Sequence, residues 1–543
     1  MLCCNHSFLQ LYNLAFVSSN LGNLVAQSEQ ESELARAIET GSVVSYHAKR
    51  QGNTQAVVTE YGSRTFSELN ANANRLVRRL NAAGIGSGDA VAVVSKNRPE
   101  FVEALVAASC SGIRFTPINY HLKGEEIGYI VDNCEAKAFI ADASLGEAII
   151  EVPSHTPEAH LLLAVGGPID GFLNYHEEIS ELDGQDLPNP ELGARMLYTS
   201  GTTGRPKGVF RKERSAEAPV PAESPSTYAP GDCDLCTGPG YHAAPLLIDI
   251  IQPLWSGAGI VMMDRFDAEE TLRLIDEYKI THTHMVATMF HRLLNLPEEV
   301  RNRYDISSMK FMVHGAAPCP VHVKQAMIEW FGPVIWEYYA ATEGGGGFLV
   351  GSEEWLTKPG TVGCPGPEFD NKILDDDGNV VPVGEIGTIY MRAPDTGRFE
   401  YYKDQEKTSG SYRGDYFTLG DMGYFDEDGY LFLTGRTAEL IISGGVNIYP
   451  QEVDSELLKH PSVLDVCTIG VPNDEWGEEV KSVIQLQPDV AANPDLTEEL
   501  ITWARERLAN FKCPRSIDYV DELPRSAAGK IQRRVVRTPY WED

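Results

Sequence analysis

The alternation of apolar and polar positions is the main structural signal in the first two thirds of the chain. Over residues 42–392, short runs of β-branched residues alternate with stretches in which apolar residues recur at helical spacing. The run VAVVSKN, residues 91–97, is typical of a buried strand, and a helical pattern then begins at Pro99. The stretches 281–294 and 309–320 resemble another such helix and strand. This alternation predicts an α/β fold with a large N-terminal domain of doubly wound sheets and a small β-subdomain.

The character of the sequence changes after about Leu433. Helical patterns at 449–461 and 497–511 are separated by short apolar runs. We therefore expect a compact α+β domain over residues 436–543, smaller than the first and mobile behind a hinge. The N-terminal domain then covers residues 41–435.

Two segments fall outside this pattern. Residues 212–240 are rich in Pro, Gly, Ser and Asp, which predicts a mobile surface loop. Residues 1–40 form a leader that we expect to be disordered. The first 30 residues are apolar but contain no Lys or Arg, so the basic region of a signal peptide is missing. A disordered leader or a wrongly assigned start codon explains this segment better than a signal peptide does.

Composition and charge narrow the function. The chain has 543 residues, of which 43% are hydrophobic and 23% charged, as in globular proteins. Its formal net charge of −33 argues against nucleic-acid binding, because phosphate backbones are bound by basic surfaces. No apolar run approaches the roughly 20 residues of a membrane span. Among ten cysteines, Cys233 and Cys236 form a CxxC pair without a second pair at zinc spacing, which favours reduced structural thiols. These features predict a cytoplasmic protein.

A loop rich in glycine and hydroxyl groups follows the predicted strand near Tyr198. Its sequence, TSGTTGRPKG, is not the common P-loop, because Pro206 occupies the position of the second glycine and Gly208 follows Lys207. Glycines let backbone N–H groups approach phosphate oxygens, hydroxyls add donors, and the lysine adds charge. The loop therefore predicts a phosphate site. Its candidate residues are Thr199, Ser200, Gly201, Thr202, Thr203, Gly204 and Lys207.

The same ten residues resemble the signature of the acyl-adenylate-forming superfamily, which includes acyl-CoA synthetases, luciferases and the adenylation domains of peptide synthetases. Four further motifs similar to those of the superfamily follow in the expected order: EYYAATEGGGG, YFTLGDMGYFDEDGYLFLTGR, ELIISGGVNIYPQEVD and PRSAAGKIQRR. The resemblance runs from about residue 40 to the end. It implies that residues 41–435 bind AMP and the acyl group, and that the C-terminal domain carries a catalytic lysine.

The second motif is expected to bind the nucleotide base and a metal ion. The resemblance implies that Tyr339 stacks on adenine, Thr342 contacts phosphate and acts in catalysis, and Glu343 holds Mg²⁺. A carboxylate suits this ion, which prefers oxygen ligands. The sequence departs from the family at Ala340, where Gly is usual, and at Tyr338, where Gly is frequent, so we expect adenine to pack somewhat differently. The candidate cofactor contacts of this motif are Glu337, Tyr338, Tyr339 and Thr342.

The third and fourth motifs are expected to bind ribose and to border the thiol channel. By the resemblance, Asp421 accepts hydrogen bonds from the ribose hydroxyls, and Arg436 steadies the ribose and phosphates at the domain junction. Gly444 and Gly445 would form a tight turn beside the pantetheine channel. The family usually has Asp or Lys at the hinge position occupied by Ala438, so we expect altered turnover kinetics.

The fifth motif contains Lys530, which matches the catalytic lysine of the family. In the implied reaction, a carboxylate attacks the α-phosphate of Mg-ATP, which gives an acyl-adenylate and pyrophosphate. A thiol then attacks the carbonyl and releases AMP. An ammonium that bridges the two negative reactants relieves their repulsion. The resemblance to stand-alone acid ligases makes coenzyme A the expected thiol, alongside ATP and Mg²⁺ as cofactors.

The acyl pocket is expected to be apolar and roomy. His242, in GPGYHAAPLL, matches a family position that lines or gates the pocket, and we expect it to act in catalysis. Small residues leave room for a bulky fatty, aryl-alkyl or alicyclic acid. The other candidate pocket residues are Gly315, Ala316, Ala317, Met285, Met289 and residues 344–347.

Three alternatives stay open. An acyl-AMP ligase that loads a carrier protein is the main competitor within the family, although no extra insertion is evident near the domain junction. A silent nucleotide or acyl-CoA sensor is disfavoured by Lys530, Glu343 and Asp421. A kinase or hydrolase is disfavoured by the broken P-loop pattern. The expected partners are a small carboxylic acid and coenzyme A, and the sequence leaves open whether the chain forms a homodimer.

Overall fold

The structure, a computed structural model, describes residues 29–199, 206–212, 224–366, 369–443, 446–473, 476–526 and 529–541, with side chains from residue 32 onward. It has a large N-terminal part built on parallel sheets and a smaller C-terminal domain, which confirms the predicted fold class. The domain boundaries at residues 41 and 436 stay predictions.

The first region contains a six-stranded parallel sheet in the order β7-β6-β5-β3-β4-β8. The predicted strand at VAVVSKN and the helix after it correspond to β3 and α4. The elements are α1 (Glu29–Glu39), α2 (Val43–Gln51), β1 (Gln55–Thr59), β2 (Gly62–Thr65), α3 (Phe66–Ala82), β3 (Ala90–Val94), α4 (Pro99–Ser109), β4 (Arg114–Ile118), α5 (Gly124–Asn133), β5 (Ala136–Asp142), α6 (Glu147–Ile150), β6 (Leu161–Val165), β7 (Leu173–Asn174), α7 (Tyr175–Ser180), β8 (Ala194–Arg195) and β9 (Leu197–Thr199).

Helix α1 lies inside the segment that the sequence predicts as a disordered leader. Ala37 is buried, and Leu34 and Ile38 pack against the adjacent core. The expectation of disorder was therefore wrong for residues 29–39, because this stretch has enough apolar side chains at helical spacing to pack on the domain.

The second region contributes most of an eight-stranded sheet in the order β16-β15-β14-β13-β11-β12-β1-β2. Its six central strands are parallel, and β2 and β16 are antiparallel edges. The elements are β10 (Lys207–Arg211), β11 (Cys233–Cys236), a π-helix (Pro245–Ile251), α8 (Gln252–Ser256), β12 (Gly259–Met262), α9 (Ala268–Tyr278), β13 (His282–Met285), α10 (Ala287–Leu294), α11 (Glu298–Arg301), β14 (Phe311–His314), α12 (Val321–Phe331), β15 (Ile335–Ala341), β16 (Gly344–Gly351) and α13 (Ser352–Thr357).

Strand β11 corrects the prediction of a surface loop over residues 212–240. It pairs with β12 and β13 inside the large sheet, and Leu235 and Cys236 are fully buried. The residues before it, 224–232, are irregular as expected, whereas 213–223 lie outside the described residues. Cys233 and Cys236 are three residues apart on one strand, so their side chains lie on opposite faces of the sheet and cannot bind one metal ion.

The third region forms a small β-subdomain and then the C-terminal domain. The β-subdomain has the order β20-β21-β18-β22-β23, with β17 beside β18, and the C-terminal sheet has the order β25-β24-β27-β26, with β28 beside β27. The elements are β17 (Asn371–Leu374), β18 (Gly387–Arg392), β19 (Phe399–Tyr401), α14 (Gln405–Ser411), β20 (Tyr412–Arg413), β21 (Tyr416–Phe417), β22 (Asp421–Phe425), β23 (Leu431–Arg436), β24 (Ile441–Ser443), β25 (Val446–Ile448), α15 (Pro450–Leu457), β26 (Val463–Asn473), β27 (Gly477–Leu486), α16 (Pro494–Arg507), β28 (Ser516–Tyr519) and α17 (Arg533–Arg537).

Helices α3 and α4 lie between the two large sheets. One continuous buried cluster contains residues of both helices together with Val91 and Ile140 of the six-stranded sheet and Val57 and Ile260 of the eight-stranded sheet. This layered core fixes the two parallel sheets relative to each other. Within the part of the chain that the structure describes, no helix is long and apolar enough to cross a bilayer.

Candidate active site

Four neighbouring strands of the large sheet end at one edge. Because β11, β13, β14 and β15 are parallel, the residues that follow them, Thr237, Val286, Gly315 and Thr342, all lie at the same edge. Ligands of open α/β sheets bind at this carboxyl edge. Sequence motifs that are more than one hundred residues apart therefore meet here.

Two paired strands flank the predicted phosphate loop. Strands β9 and β10 pair with Thr199 opposite Lys207, which brings both ends of the loop together. Ser200, Gly201, Thr202, Thr203 and Gly204 lie outside the described residues. Burial lowers the pKa of Lys207, against the charges of Asp404 and Glu343, which raise it. A bound anion would raise the Lys207 pKa again.

Strand β19 brings a tyrosine next to the predicted metal ligand. It pairs with β10, and the Tyr401 hydroxyl donates a hydrogen bond to Glu343 Oε1 at 2.9 Å. Glu343 itself lies in the two-residue turn between β15 and β16, where Arg211 donates to its backbone carbonyl at 2.6 Å. The carboxylate is thus held at the sheet edge, close to Lys207.

Asp421 joins the large sheet to the β-subdomain. The Tyr339 hydroxyl donates to Asp421 Oδ2 at 2.8 Å, and Arg436 Nε donates to Asp421 Oδ1 at 2.8 Å. Asp421 and Arg436 lie opposite each other in the β22–β23 pair. Each carboxylate oxygen has a second lone pair, so Asp421 keeps acceptor capacity for further hydroxyl groups. The Tyr339 ring is largely buried, with Phe348 at a centroid distance of 5.6 Å.

The C-terminal domain contributes Lys530 to the same place. Solvent reaches this side chain, yet the surrounding protein desolvates its ammonium and lowers the Lys530 pKa; Arg436 lowers it further, and Asp421, Glu439 and Glu343 raise it. The Ser526 backbone N–H donates to the Lys530 carbonyl at 2.7 Å, which holds these two residues together.

Glycine at position 529 lets this loop approach the large domain closely. Its φ is +75°, which favours glycine, and a Cβ there would lie 2.9 Å from Thr288 Oγ1 and 3.1 Å from Val286 Cγ2. Val286 directly follows β13, and Thr288 lies in the first turn of α10. The lysine loop is therefore seated directly on the edge of the large sheet.

Glu337, the first residue of the second motif, lies below the site. The buried Glu337 carboxylate forms an ion pair with Lys324 Nζ of α12 at 2.6 Å, and His314 Nε2 is 3.5 Å away. Burial raises the pKa of Glu337, against the charge of Lys324. The Glu337 carboxylate thus contacts other protein groups, and its ion pair with Lys324 anchors strand β15, which also carries Tyr339.

The loop after β14 is strained where it meets the site. Ala316 has φ +64°, which is unusual for a residue with a Cβ, and Ala317 follows it in the same loop. The space beside Gly315 is filled, because a Cβ there would lie 2.5 Å from the Tyr338 ring. Backbone strain of this kind occurs mostly at functional loops.

His242 lies at the start of the segment that leads into the π-helix. It is half-buried, and burial together with the neighbouring His121 lowers its pKa to about 4. Its Nε2 atom is buried without a hydrogen-bond partner among the described residues. Met289 is close to this edge, with Sδ 3.4 Å from Thr237 Oγ1, whereas Met285 is fully buried in the core beneath the sheet.

A chain of buried polar groups lies behind the edge, and sequence reasoning did not single it out. His284 Nε2 and the Tyr338 hydroxyl are 3.1 Å apart, and the His284 backbone N–H donates to Asp249 Oδ1 at 2.8 Å. Tyr228 donates to Asp234 Oδ2 at 2.7 Å. Burial raises the pKa of both aspartates, and Asp234 raises that of Asp249 further. Asp249 belongs to the π-helix, a type of helix found frequently at functional sites.

The sequence-predicted candidates therefore converge, with some exceptions. Thr199, Lys207, Tyr339, Thr342, Glu343, Asp421, Arg436 and Lys530 meet around one edge of the large sheet. Gly444 and Gly445 lie outside the described residues. Tyr401, Arg211 and His284 were not predicted, because a single tyrosine, arginine or histidine in a strand has no distinguishing pattern.

Comparison with known proteins identifies the family. The model of the AMP-binding enzyme family matches residues 44–402, and that of the AMP-binding enzyme C-terminal domain matches residues 452–530. The chain belongs to the AMP-binding enzyme family. It is 29% identical to a fatty acid–[acyl-carrier-protein] ligase, ScoC, of Streptomyces coeruleorubidus over 92% of this chain and 96% of that protein. It is 31% identical to a feruloyl-CoA synthase of an Amycolatopsis species, over 88% and 94% of the two chains.

A solved structure supports the same assignment of fold. The ATP-bound RpMatB-BxBclM chimera B1 matches with a TM-score of 0.80 and 27% identity, over 93% of this chain and 99% of the chimera. The match in fold thus extends over nearly the whole of this chain. The comparisons make this protein an adenylate-forming ligase. The relatives differ in the acceptor that their names state, which is a carrier protein for ScoC and coenzyme A for the feruloyl-CoA synthase.

Proposed function

We propose that the protein is an ATP-dependent carboxylate–CoA ligase that activates a hydrophobic carboxylic acid through an acyl-adenylate. The observation that carries the proposal is that the Lys530 loop is seated on the edge of the large sheet, where Gly529 approaches Thr288 and Val286. The charges of Asp421, Arg436 and Glu343 act on the lysine there. Although the chain has a net charge of −33, cationic side chains border this edge. Such a local cluster suits a triphosphate.

Each side chain at the edge has a role in this proposal. Asp421 accepts hydrogen bonds from the ribose hydroxyls, with Tyr339 against the base. Lys207 binds phosphate oxygens together with the loop that precedes it. Lys530 bridges the acid and the α-phosphate, since its partly desolvated ammonium gains most from two negative reactants. The carboxylate oxygen bonds to the α-phosphorus, and the bond to the β-phosphate breaks, so pyrophosphate leaves with the electron pair.

The residues present fit a magnesium ion that is bound mostly through the nucleotide. Glu343 offers a carboxylate oxygen beside the one that Tyr401 occupies. Among the described residues, no group of three His, Cys, Asp or Glu side chains could hold a metal ion. Mg²⁺ typically uses one or two carboxylates together with phosphate oxygens and water. Bound there, it would neutralise charge on the phosphates.

The second half-reaction requires the C-terminal domain to move. We propose that residues 437–439, a 3₁₀ turn between β23 and β24, form the hinge that withdraws Lys530. Glu439 in this turn is 3.2 Å from Arg533 Nε, and Arg533 also pairs with Asp454 at 2.8 Å, so the turn is coupled to the body of the C-terminal domain. The thiol sulfur then attacks the acyl carbon, the bond to AMP breaks, and the thiol proton is released.

A carrier protein is the alternative acceptor. The similarity to a fatty acid–[acyl-carrier-protein] ligase over nearly the full chain favours this possibility. The feruloyl-CoA synthase, which is matched at slightly higher identity, supports coenzyme A. Both alternatives share the adenylation step and differ in the acceptor alone.

The test is a product analysis by mass spectrometry. Purified protein is incubated with Mg-ATP, coenzyme A and a panel of carboxylic acids, while AMP, ADP, acyl-AMP and acyl-CoA are recorded together. We expect AMP and one acyl-CoA in equal amounts. Acyl-AMP without a thioester would favour a carrier protein, whereas ADP, or no turnover of any acid, would contradict the proposal.

A further inference from the structure

The glycines that were expected to leave room for a bulky acid border protein side chains instead. A Cβ on Gly315 would lie 2.5 Å from the ring of Tyr338. One on Gly345 would lie 2.9 Å from the Cβ of Ala340, and one on Gly346 would lie 2.5 Å from both Asn371 Oδ1 and Phe348 Cε2. These glycines therefore accommodate neighbouring side chains, and the space beside them is not free for a long acyl chain.

Tyr338 is the largest of these neighbours and faces the side of the sheet away from Asp421. Side chains alternate along β15, so Tyr339 faces Asp421 while Tyr338 faces the π-helix. There Tyr338 forms a buried cluster with Ile248, Phe311 and Val313. Ala244, two residues after His242, packs against the same cluster, so the Tyr338 ring lies beneath Gly315 on the side of the sheet that the His242 segment covers.

The position of this ring is fixed by the polar chain behind it. The Tyr338 hydroxyl is hydrogen-bonded to His284 Nε2 at 3.1 Å, and both residues are buried. The backbone N–H of His284 is in turn held by Asp249 at 2.8 Å. Swinging the ring aside would leave a buried hydroxyl and a buried imidazole nitrogen without these partners, which is costly in a dry interior. The ring is thus a fixed part of the wall and not a side chain that a substrate displaces.

We propose that Tyr338 forms the floor of the acyl pocket and restricts the enzyme to compact acids, either short-chain or with a single ring, in preference to long-chain fatty acids. This inference rests on the proposed ligase function. A substrate that exceeds a closed hydrophobic pocket loses about tenfold or more in kcat/KM for each methylene that does not fit. The expected signature is a steep fall of activity along a series of acids.

The experiment measures kcat/KM from AMP release for straight-chain acids from butanoic to hexadecanoic, and for benzoic and cinnamic acid. The wild type should prefer short or single-ring acids. Tyr338→Ala should raise the ratio of dodecanoic to hexanoic acid turnover by about tenfold or more, because removing the ring opens the floor. Tyr338→Phe keeps the ring but removes its hydrogen bond to His284 Nε2, so its profile should lie between those of the wild type and Tyr338→Ala.

The control and the outcomes separate the causes. Phe139→Ala opens a buried cavity in the other sheet and should leave the chain-length profile unchanged. If Tyr338→Ala does not fold, Tyr338→Leu replaces it with a smaller loss of volume. Equal use of hexadecanoic and hexanoic acid by the wild type, or an unchanged profile in the folded variant, would overturn the inference while leaving the ligase intact. No AMP with any acid would instead overturn the proposed function, and the inference with it.

Discussion

Replacing Asp249 with asparagine should make the free energy of unfolding fall less steeply as pH rises. Asp234 and Asp249 are both fully buried, and burial raises the pKa of each well above its ordinary value. The charge of Asp234 raises the Asp249 pKa further, so Asp249 is the member of the pair that keeps its proton. The asparagine side chain would keep both hydrogen bonds, with its oxygen accepting from the His284 N–H and its amide donating to Asp234.

The magnitude follows from proton linkage. Above about pH 4 the unfolded chain releases the Asp249 proton, whereas the folded protein retains it. Stability is therefore lost as pH rises, by about 1.4 kcal/mol per pH unit for one proton, until the folded pair ionises. As pH rises through this window, the variant should gain stability relative to the wild type at about that slope, because it has no proton to retain. Titrating groups that do not interact with this pair cancel in the difference.

The assay is urea unfolding of both proteins at intervals from about pH 5 to about pH 8, above the ordinary pKa of an aspartate in the unfolded chain. Asp249→Ala is the matched control, since it removes the same proton but also leaves the His284 N–H and Asp234 without this partner. It should show a similar slope and be less stable than the asparagine variant by about 1–3 kcal/mol at every pH. If the difference in free energy of unfolding between the asparagine variant and the wild type does not change with pH, Asp249 does not retain its proton in the folded protein.

Three further predictions concern the reaction. Lys530→Ala should reduce adenylation by about 100-fold or more and largely spare thioester formation from supplied acyl-adenylate; equal losses in the two half-reaction assays would contradict the role of this lysine. Tyr401→Phe should raise the Mg²⁺ concentration at half-maximal AMP release by about tenfold, because Glu343 loses a hydrogen bond. An unchanged Mg²⁺ titration curve would show that the Tyr401 hydroxyl does not position Glu343 for the metal ion. Ala438→Asp should change the second half-reaction more than the first, and an unchanged rate ratio would show that this hinge position is not limiting.

The motifs and the strand-helix alternation were enough to predict the fold class and the family. Glycine-rich loops and short buried strands have local signatures, since backbone geometry and burial act on consecutive residues. Strand β11 was missed because it has no such local signature. Its four residues, CDLC, are too few to show a period and follow a stretch rich in Pro and Gly.

The acyl pocket was the part of the site that sequence could not predict. The residues Gly315 and Tyr338 were both noticed, yet nothing local indicates that the ring of one fills the space beside the other. His284 and Tyr338 are 54 positions apart and meet because β13, β14 and β15 are parallel neighbours. Glu337 likewise had a motif-based role, but its ion pair with Lys324 depends on how α12 packs on the sheet. Such pairs follow from tertiary packing.

In the proposed reaction, a substrate carboxylate attacks the α-phosphate of ATP. The most direct measurement uses a carboxylic acid labelled with ¹⁸O in both oxygens, together with Mg-ATP and coenzyme A, and records the masses of AMP, pyrophosphate and acyl-CoA. If the carboxylate attacks the α-phosphate, one ¹⁸O atom appears in AMP and the other stays in the acyl-CoA, with unlabelled pyrophosphate. AMP without label, or label in pyrophosphate or in phosphate, would contradict it.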